Sequence, residues 1–256
     1  CIMIHLGYEL QSGHPVEVPL GHLIVTGLTR HSGKTTTINA LATRSNRRVL
    51  VFLTKPGEQI FRQVQSIEPF FSEEWDWQYV ESLLEAIMKE RLKFERSSII
   101  KACNGATSLR DVYRNVSMLL EDVNPNSLAS SIYTNLKAYF EIILPQLDSM
   151  RFTRHFPTLN VGLNVMDLTH LTPEVQSLVI RSCLTYILNR EQQLIIVIPE
   201  LWKFCPEGAG NPVKRTLESL IRQGAVQGNY LWMDSQDIAG VDKSPLKQVS
   251  VWILGV

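Results

Sequence analysis

Apolar residues in this chain fall into short unbroken runs and longer amphipathic stretches. The runs His22–Thr26 and Arg48–Leu53 have the length and continuity of strands buried on both faces, as do Asn160–Met166, Gln193–Ile198, Tyr230–Met233 and Val249–Leu254. Helical patterns follow Gly33 and recur at Pro173–Arg190 and Val213–Gln223. Strand alternating with helix predicts an α/β fold with a mainly parallel sheet covered on both faces. Before the first run, Met3–Glu9 and Val16–Val18 alternate loosely around Ser12-Gly13, which predicts a small hairpin. Between Glu58 and about Pro157 the pattern turns to amphipathic stretches such as Trp77–Glu95 and Ala129–Leu147, broken at Asn104-Gly105 and Asn124-Pro125-Asn126. That predicts a helical insertion, about residues 60–157, inside one domain spanning 1–256.

The first candidate chemistry lies where strand passes into helix. The sequence HLIVTGLTRHSGKTTTINAL sets a glycine-containing turn between an apolar strand and an amphipathic helix, with Gly33-Lys34-Thr35 at the helix start. This is the context of a phosphate-binding loop. Backbone N–H groups of such a turn converge on a phosphate, and the helix dipole adds about half a positive charge. The predicted nucleotide-binding residues are Gly27, Leu28, Thr29, Arg30, His31, Ser32, Gly33, Lys34, Thr35 and Thr36. Lys34 supplies a mobile charge for the β- and γ-phosphates, and the Thr35 hydroxyl is a ligand for Mg²⁺. The spacing departs from GxxxxGK[ST]: the slot five residues before Gly33 holds Leu28, and the glycine lies one residue earlier. Arg30 and His31 read as solvent-facing or ligand-rim groups.

A phosphate loop that hydrolyses its ligand needs an acid at the end of a nearby strand. Glu200, closing the run Leu194–Ile198 and Pro199, is the candidate general base and second metal residue; the plainer reading is a strand-end surface carboxylate. The position before it holds Pro199, which cannot ligate a metal. Mg²⁺ must then rely on Thr35 and water, or on another strand-end acid, Asp167 or Asp234. The pattern leaves that choice open, and either acid could instead cap a turn.

Charge and cysteines narrow the setting. Lys and Arg number 25 and Asp and Glu 25, so no global field draws the chain onto nucleic acid. Cys1, Cys103, Cys183 and Cys205 form no CxxC pair, which fits a cytoplasmic protein with neither a zinc site nor a disulfide framework. The apolar runs are well short of the ~20 residues of a membrane helix. The chain opens at Cys1 without a Met and ends within the apolar run Val249–Val256, so the expectation is a piece of a longer protein.

With these residues placed, the chain resembles the HerA/FtsK branch of P-loop ATPases over most of its length. The resemblance rests on the order of LGYELQSGHPVEVPLGHLIVTG, the phosphate loop, KPGE after a strand, a variable helical insertion, LNVMDLTHL, IVIPELWKFCPE and IRQGAVQGNYLWMDSQ. It implies a RecA-like core and an ATP- and Mg²⁺-dependent motor of a DNA translocase or helicase. It also implies a homo-oligomeric ring, hexameric in the family, acting on double-stranded DNA and able to work with a partner nuclease or other protein. Carried over, Lys34 and Thr35 hold phosphate and Mg²⁺, Glu200 is the catalytic glutamate and Gln236 the sensor of the γ-phosphate. Glu58 in KPGE matches a glutamate near the nucleotide, or is simply a carboxylate favoured at a helix start. Ala225 stands where the family has an arginine, and Arg222, three residues earlier on the same predicted helix face, is the candidate trans-acting finger or an ordinary exposed residue.

Basic runs at Arg44–Arg48 and Lys89–Lys101 are the local candidates for DNA contact. In the second, Lys89, Arg91, Lys93 and Arg96 alternate with Glu90 and Glu95, which is the pattern of a self-paired solvated face. Trp75, Trp77 and Tyr79 read as core or interface anchors more than base-stacking platforms. Two other functions stay open. One is a nucleotide-binding switch or assembly module with little hydrolysis, which Pro199 favours. The other is a small-molecule kinase using the insertion as a lid, weakened by the Gln236 strand and the lack of a lid arginine cluster.

Overall fold

A computed structural model of the chain describes residues 2–27, 32–57, 65–71, 77–78, 80–81, 96–149, 153, 155–208 and 211–255. An antiparallel hairpin of β1 (Met3–Tyr8) and β2 (Pro15–Pro19) opens it. The sheet strands are β3 (Leu23–Thr26), β4 (Arg48–Leu53), β5 (Gln65–Ile67), β6 (Gly162–Asp167), β7 (Leu194–Ile198), β8 (Tyr230–Ser235) and β9 (Val251–Leu254). They form one sheet in the order β5-β6-β4-β7-β8-β3-β9, and every pairing of these strands is parallel. The described helices are α1 (Lys34–Arg44), α2 (Arg96–Cys103), α3 (Leu109–Asp122), α4 (Leu128–Ser149), α5 (Pro173–Arg190), α6 (Pro212–Gln223) and the single turn α7 (Lys243–Leu246).

Alternate strand residues point to opposite faces, and that period divides the core in two. Ile24, Leu50, Phe52, Ile196, Ile198, Leu231 and Met233 face one side, where α5, α6 and residues of α2, α3 and α4 pack on them. Leu23, Val25, Val49, Val51, Ile195, Val197 and Trp232 face the other, covered by Ile38, Leu41 and Ala42 of α1 and by Ile4 of the hairpin. The unbroken apolar runs are thus the consequence of burial on both faces. Helix ends follow local chemistry. Asn211 accepts from the Val213 N–H at 2.9 Å ahead of Pro212, which fixes the start of α6. Ser108 caps α3, accepting from the Asp111 N–H at 3.2 Å while its hydroxyl donates to Asp111 Oδ2 at 3.0 Å.

One expectation is corrected here. The region after Glu58 is not helical throughout, because Gln65–Ile67 forms the edge strand β5, paired with Asn164–Met166 of β6. A three-residue strand that is two-thirds polar carries no period to read. Of the expected Trp77–Glu95 helix, Trp77, Gln78, Val80 and Glu81 are described and helical, and the remainder lies outside the described residues. Glu81 is fully buried and ion-paired with Arg96 and with Arg215 of α6, at 3.0 and 3.6 Å, so the insertion is tied to the core helix layer by charge as well as by apolar packing. Among the described residues no helix is long and apolar enough to cross a membrane.

Candidate nucleotide-binding site

Parallel strands present all their C-terminal ends at one edge, where loops gather. At that edge β3 ends in Thr26, and the chain returns at Ser32 and Gly33 to start α1 at Lys34. Gly33 sits at φ 65°, ψ 20°, a left-handed conformation that costs other residues roughly 1–2 kcal/mol. It is the N-cap of α1 and, as a glycine, brings no side-chain cap, which suits a helix start whose first-turn N–H groups serve an anion. Gly27 is needed for close approach: a Cβ there would stand 2.7 Å from the Gly255 carbonyl oxygen and 2.7 Å from the Ser32 Cβ. The Gly255 N–H donates to the Thr26 carbonyl at 2.7 Å, so the end of β9 backs the loop. Lys34 is buried, and its Nζ donates to the Gly27 carbonyl at 3.0 Å and to Ser32 Oγ at 3.1 Å, across the mouth of the loop. Thr35 is half-buried and Thr36 exposed. Leu28, Thr29, Arg30 and His31 lie outside the described residues.

The facing wall comes from β7 and β8. Strand β8 lies between β3 and β7, with Val25 opposite Asp234, Thr26 opposite Ser235, and Ile198 opposite Met233. Beyond Ile198 the buried Pro199 leads to Glu200 at φ 53°, ψ 51°, again left-handed but without a glycine to relieve it. Glu200 is 8% exposed; Lys203 forms an ion pair with its Oε2, which nonetheless enters no aligned hydrogen bond. The Glu200 N–H donates to Asp234 Oδ1 at 2.7 Å. Burial pushes the Asp234 carboxyl above the usual range; the bond from the Glu200 N–H lowers it, the Glu200 charge raises it, and the Lys34 and Lys55 charges lower it. Thr54, just beyond β4, keeps a buried Oγ1 without a hydrogen bond. A lysine crossing a glycine-bounded turn, an uncapped helix start, and buried oxygens lacking hydrogen bonds fit a phosphate chain with a hard divalent cation.

The two acids the sequence left open stand at different places in the fold. Asp167 ends β6, with β4, β7 and β8 between it and β3, and its Oδ1 accepts from the N–H and hydroxyl of Thr169 at 2.9 and 2.7 Å. It caps a turn. Asp234 is on the strand next to the loop strand, and feels the charges of Lys34 and Glu200. Lys55, which also acts on Asp234, was legible only as the first residue of KPGE; no spacing rule singles it out.

Gln236 follows β8 directly, exposed, at the same edge as Gly27 and Glu200. Arg222 does not join them. It is exposed in the last turn of α6, which returns the chain to the start of β8 at the opposite edge, and Ala225 is exposed in the 3₁₀ turn Gly224–Gln227 that follows. A cavity of about 580 Å³, lined by Leu20, Arg47, Gln193, Val226 and Tyr230 among others, also opens at that far edge. Glu58 is outside the described residues, as are Trp75, Tyr79, Lys89, Glu90, Arg91, Lys93 and Glu95. Two basic candidates for DNA contact are engaged in the fold. Arg44 Nη1 donates to the carbonyls of His5 and Leu6, at 3.2 and 2.7 Å, and Arg48 pairs with Glu191 at 3.0 Å. Trp77 lies beneath the Arg96 guanidinium, 5.2 Å from its carbon.

No protein-family model matches the chain, and no curated protein matches it. Among solved structures it is similar to VirB4 of Thermoanaerobacter pseudethanolicus, with a TM-score of 0.68 and 14% identity, over 98% of this chain and 83% of that one. At that identity the likeness shows the fold alone: an α/β fold with a parallel seven-stranded sheet.

Proposed function

We propose that this chain is an ATP-binding and ATP-hydrolysing motor domain of the HerA/FtsK type, working as a homo-oligomeric ring on double-stranded DNA. The observation that carries it is the meeting of Lys34, Glu200 and Gln236 at one edge of a parallel sheet, on β3, β7 and β8 and their following turns. In this reading the α1 N–H groups and the Lys34 ammonium bind the phosphates, replacing the contacts of Lys34 with Gly27 and Ser32. Thr35 and Glu200 would hold Mg²⁺, which would supply neutralising charge to the phosphates. Glu200 orients the attacking water and accepts its proton, and Gln236 reads the γ-phosphate. Arg222, at the far edge, acts only on a neighbouring subunit's nucleotide, supplying positive charge at the transition state.

A second reading, a nucleotide-dependent assembly module with little turnover, is favoured by Pro199, which removes a carboxylate from β7. Steady-state ATP hydrolysis with and without double-stranded DNA, on protein sized by light scattering in the same buffer, separates the two. DNA-stimulated turnover in an oligomer supports the motor. ATP binding with negligible turnover, unaffected by DNA, supports the assembly module, and absence of ATP binding defeats both.

A further inference from the structure

Pro199 occupies the β7 position from which a carboxylate would serve the metal, yet the adjacent strand presents one. We propose that Asp234 on β8 takes over that position, holding Mg²⁺ of the nucleotide complex through water while its Oδ1 fixes the turn that presents Glu200. This rests on the nucleotide-binding reading above and deepens it.

Three observations support it. The register sets Asp234 opposite Val25, two residues before Gly27, so its strand position is level with the loop and one strand nearer than β7. Its side chain is 4% exposed, a burial that an ionised carboxylate accepts only when paired or bound to a cation. Its recorded partner is a single backbone N–H, that of Glu200, on Oδ1. A carboxylate has about four acceptor sites, so capacity remains for metal-bound water. The neighbouring Glu200 is buried as well, and its Oε2, though ion-paired with Lys203, enters no aligned hydrogen bond. Among the described residues no cluster of three or more His, Cys, Asp or Glu side chains could hold a metal unaided. Two carboxylates and the Thr35 hydroxyl instead suit Mg²⁺, which keeps several waters and takes the rest of its shell from phosphates. Pro199 also contributes: lacking an N–H, it leaves the Glu200 N–H as the next donor after Ile198, and Asp234 accepts it.

The test is the Mg²⁺ dependence of nucleotide binding, read by fluorescence of a labelled non-hydrolysable ATP analogue with excess EDTA or with Mg²⁺. Mn²⁺ bound with the analogue is read in parallel by electron paramagnetic resonance. Asp234→Asn keeps an oxygen for the Glu200 N–H and removes the charge; Asp234→Ser is the second variant, should the first not fold. The expected result is affinity in EDTA no weaker than wild type, because a negative charge beside the phosphates is gone, with the Mg²⁺ enhancement and Mn²⁺ affinity reduced on the order of 10-fold or more. Wild-type Mg²⁺ enhancement and Mn²⁺ affinity in the variant overturn the proposal while leaving the phosphate loop intact. A wild-type protein that binds no analogue, matching Lys34→Ala, overturns the nucleotide reading itself.

Discussion

Glu200 is held left-handed at φ 53°, ψ 51°, and the cost of that conformation is measurable by comparing two variants that both remove its carboxylate. In Glu200→Ala and Glu200→Gly alike, the Lys203 ion pair and the buried charge are lost, so those contributions cancel. What remains is backbone. A residue with a Cβ loses roughly 1–2 kcal/mol in this region, and glycine loses almost none. Glycine gives back about 0.4–1 kcal/mol through its freer unfolded chain. The balance favours Glu200→Gly by about 1 kcal/mol, or ~2 °C in Tm for a chain of this length. Were φ negative, Ala would win by roughly 0.5–1 kcal/mol, so the sign alone decides. Urea denaturation followed by tryptophan fluorescence and a thermal melt read the difference. Gln193, at φ 55° on the far edge, provides a control in which Gly over Ala should stabilise equally without altering nucleotide affinity. A Glu200→Ala protein as stable as Glu200→Gly, or more so, would show that the turn stores no strain and refute the reasoning.

The other predictions concern binding, turnover and pH. Lys34→Ala should abolish nucleotide binding by equilibrium titration, and unchanged affinity would remove the loop from the function. Glu200→Gln should bind the ATP analogue like wild type yet lose turnover by 10²-fold or more in a single-turnover assay, the range for a general base; normal hydrolysis would mean the base lies elsewhere. His22 is buried, and burial holds its pKa below the ordinary 6.5. Its Nδ1 accepts from the Leu231 N–H at 3.1 Å. The unfolded chain therefore takes up the proton first as pH falls, so stability is full above about pH 6.5 and declines below it towards the folded pKa. Denaturation midpoints between about pH 7.5 and about pH 5.5 should fall in wild type more than in His22→Asn; parallel curves would exclude His22 as the source.

Much of the fold was legible because burial on both faces writes itself into the sequence. The runs at Arg48–Leu53 and Leu194–Ile198 could be read as strands for the same reason that Val49, Val51, Ile195 and Val197 fill one half of the core while Leu50, Phe52, Ile196 and Ile198 fill the other. Gln65–Ile67 was illegible because an edge strand of three residues needs only a neighbour's N–H and C=O groups, not apolar periodicity. In the candidate site, Lys34 and Glu200 were singled out by local pattern, a glycine turn and a strand end, and the structure places both at one edge of the sheet. The choice of Asp234 over Asp167 was not local. Both follow apolar strands and both precede hydroxyl residues or turns, and they differ only in strand order, which no spacing in the sequence records. The same holds for Arg222, whose distance from Lys34 within one chain follows from the direction of α6.

The three irregular features of the site become one once the sheet order is known. A proline after Ile198 ends the β7–β8 ladder, since it offers no N–H to continue it. The chain must then turn sharply, and Glu200 enters the left-handed region to do so. Its N–H, otherwise unpaired in a buried setting, is taken by Asp234, so a carboxylate must be kept on β8 at a depth where burial opposes its charge. Each of these features alone lowers stability, and the apolar core is indifferent to all three. Their meeting at the edge where Lys34 crosses the loop is the pattern expected when a ligand's charge supplies what the unliganded protein lacks. If binding of nucleotide with Mg²⁺ releases the strain, that free energy is contained in the measured Kd, so Glu200→Ala, which keeps the strain, should bind more tightly than Glu200→Gly, which has none to release. Equal affinity of the two variants would instead mean that the left-handed turn is fixed in both states and serves purely to aim the carboxylate.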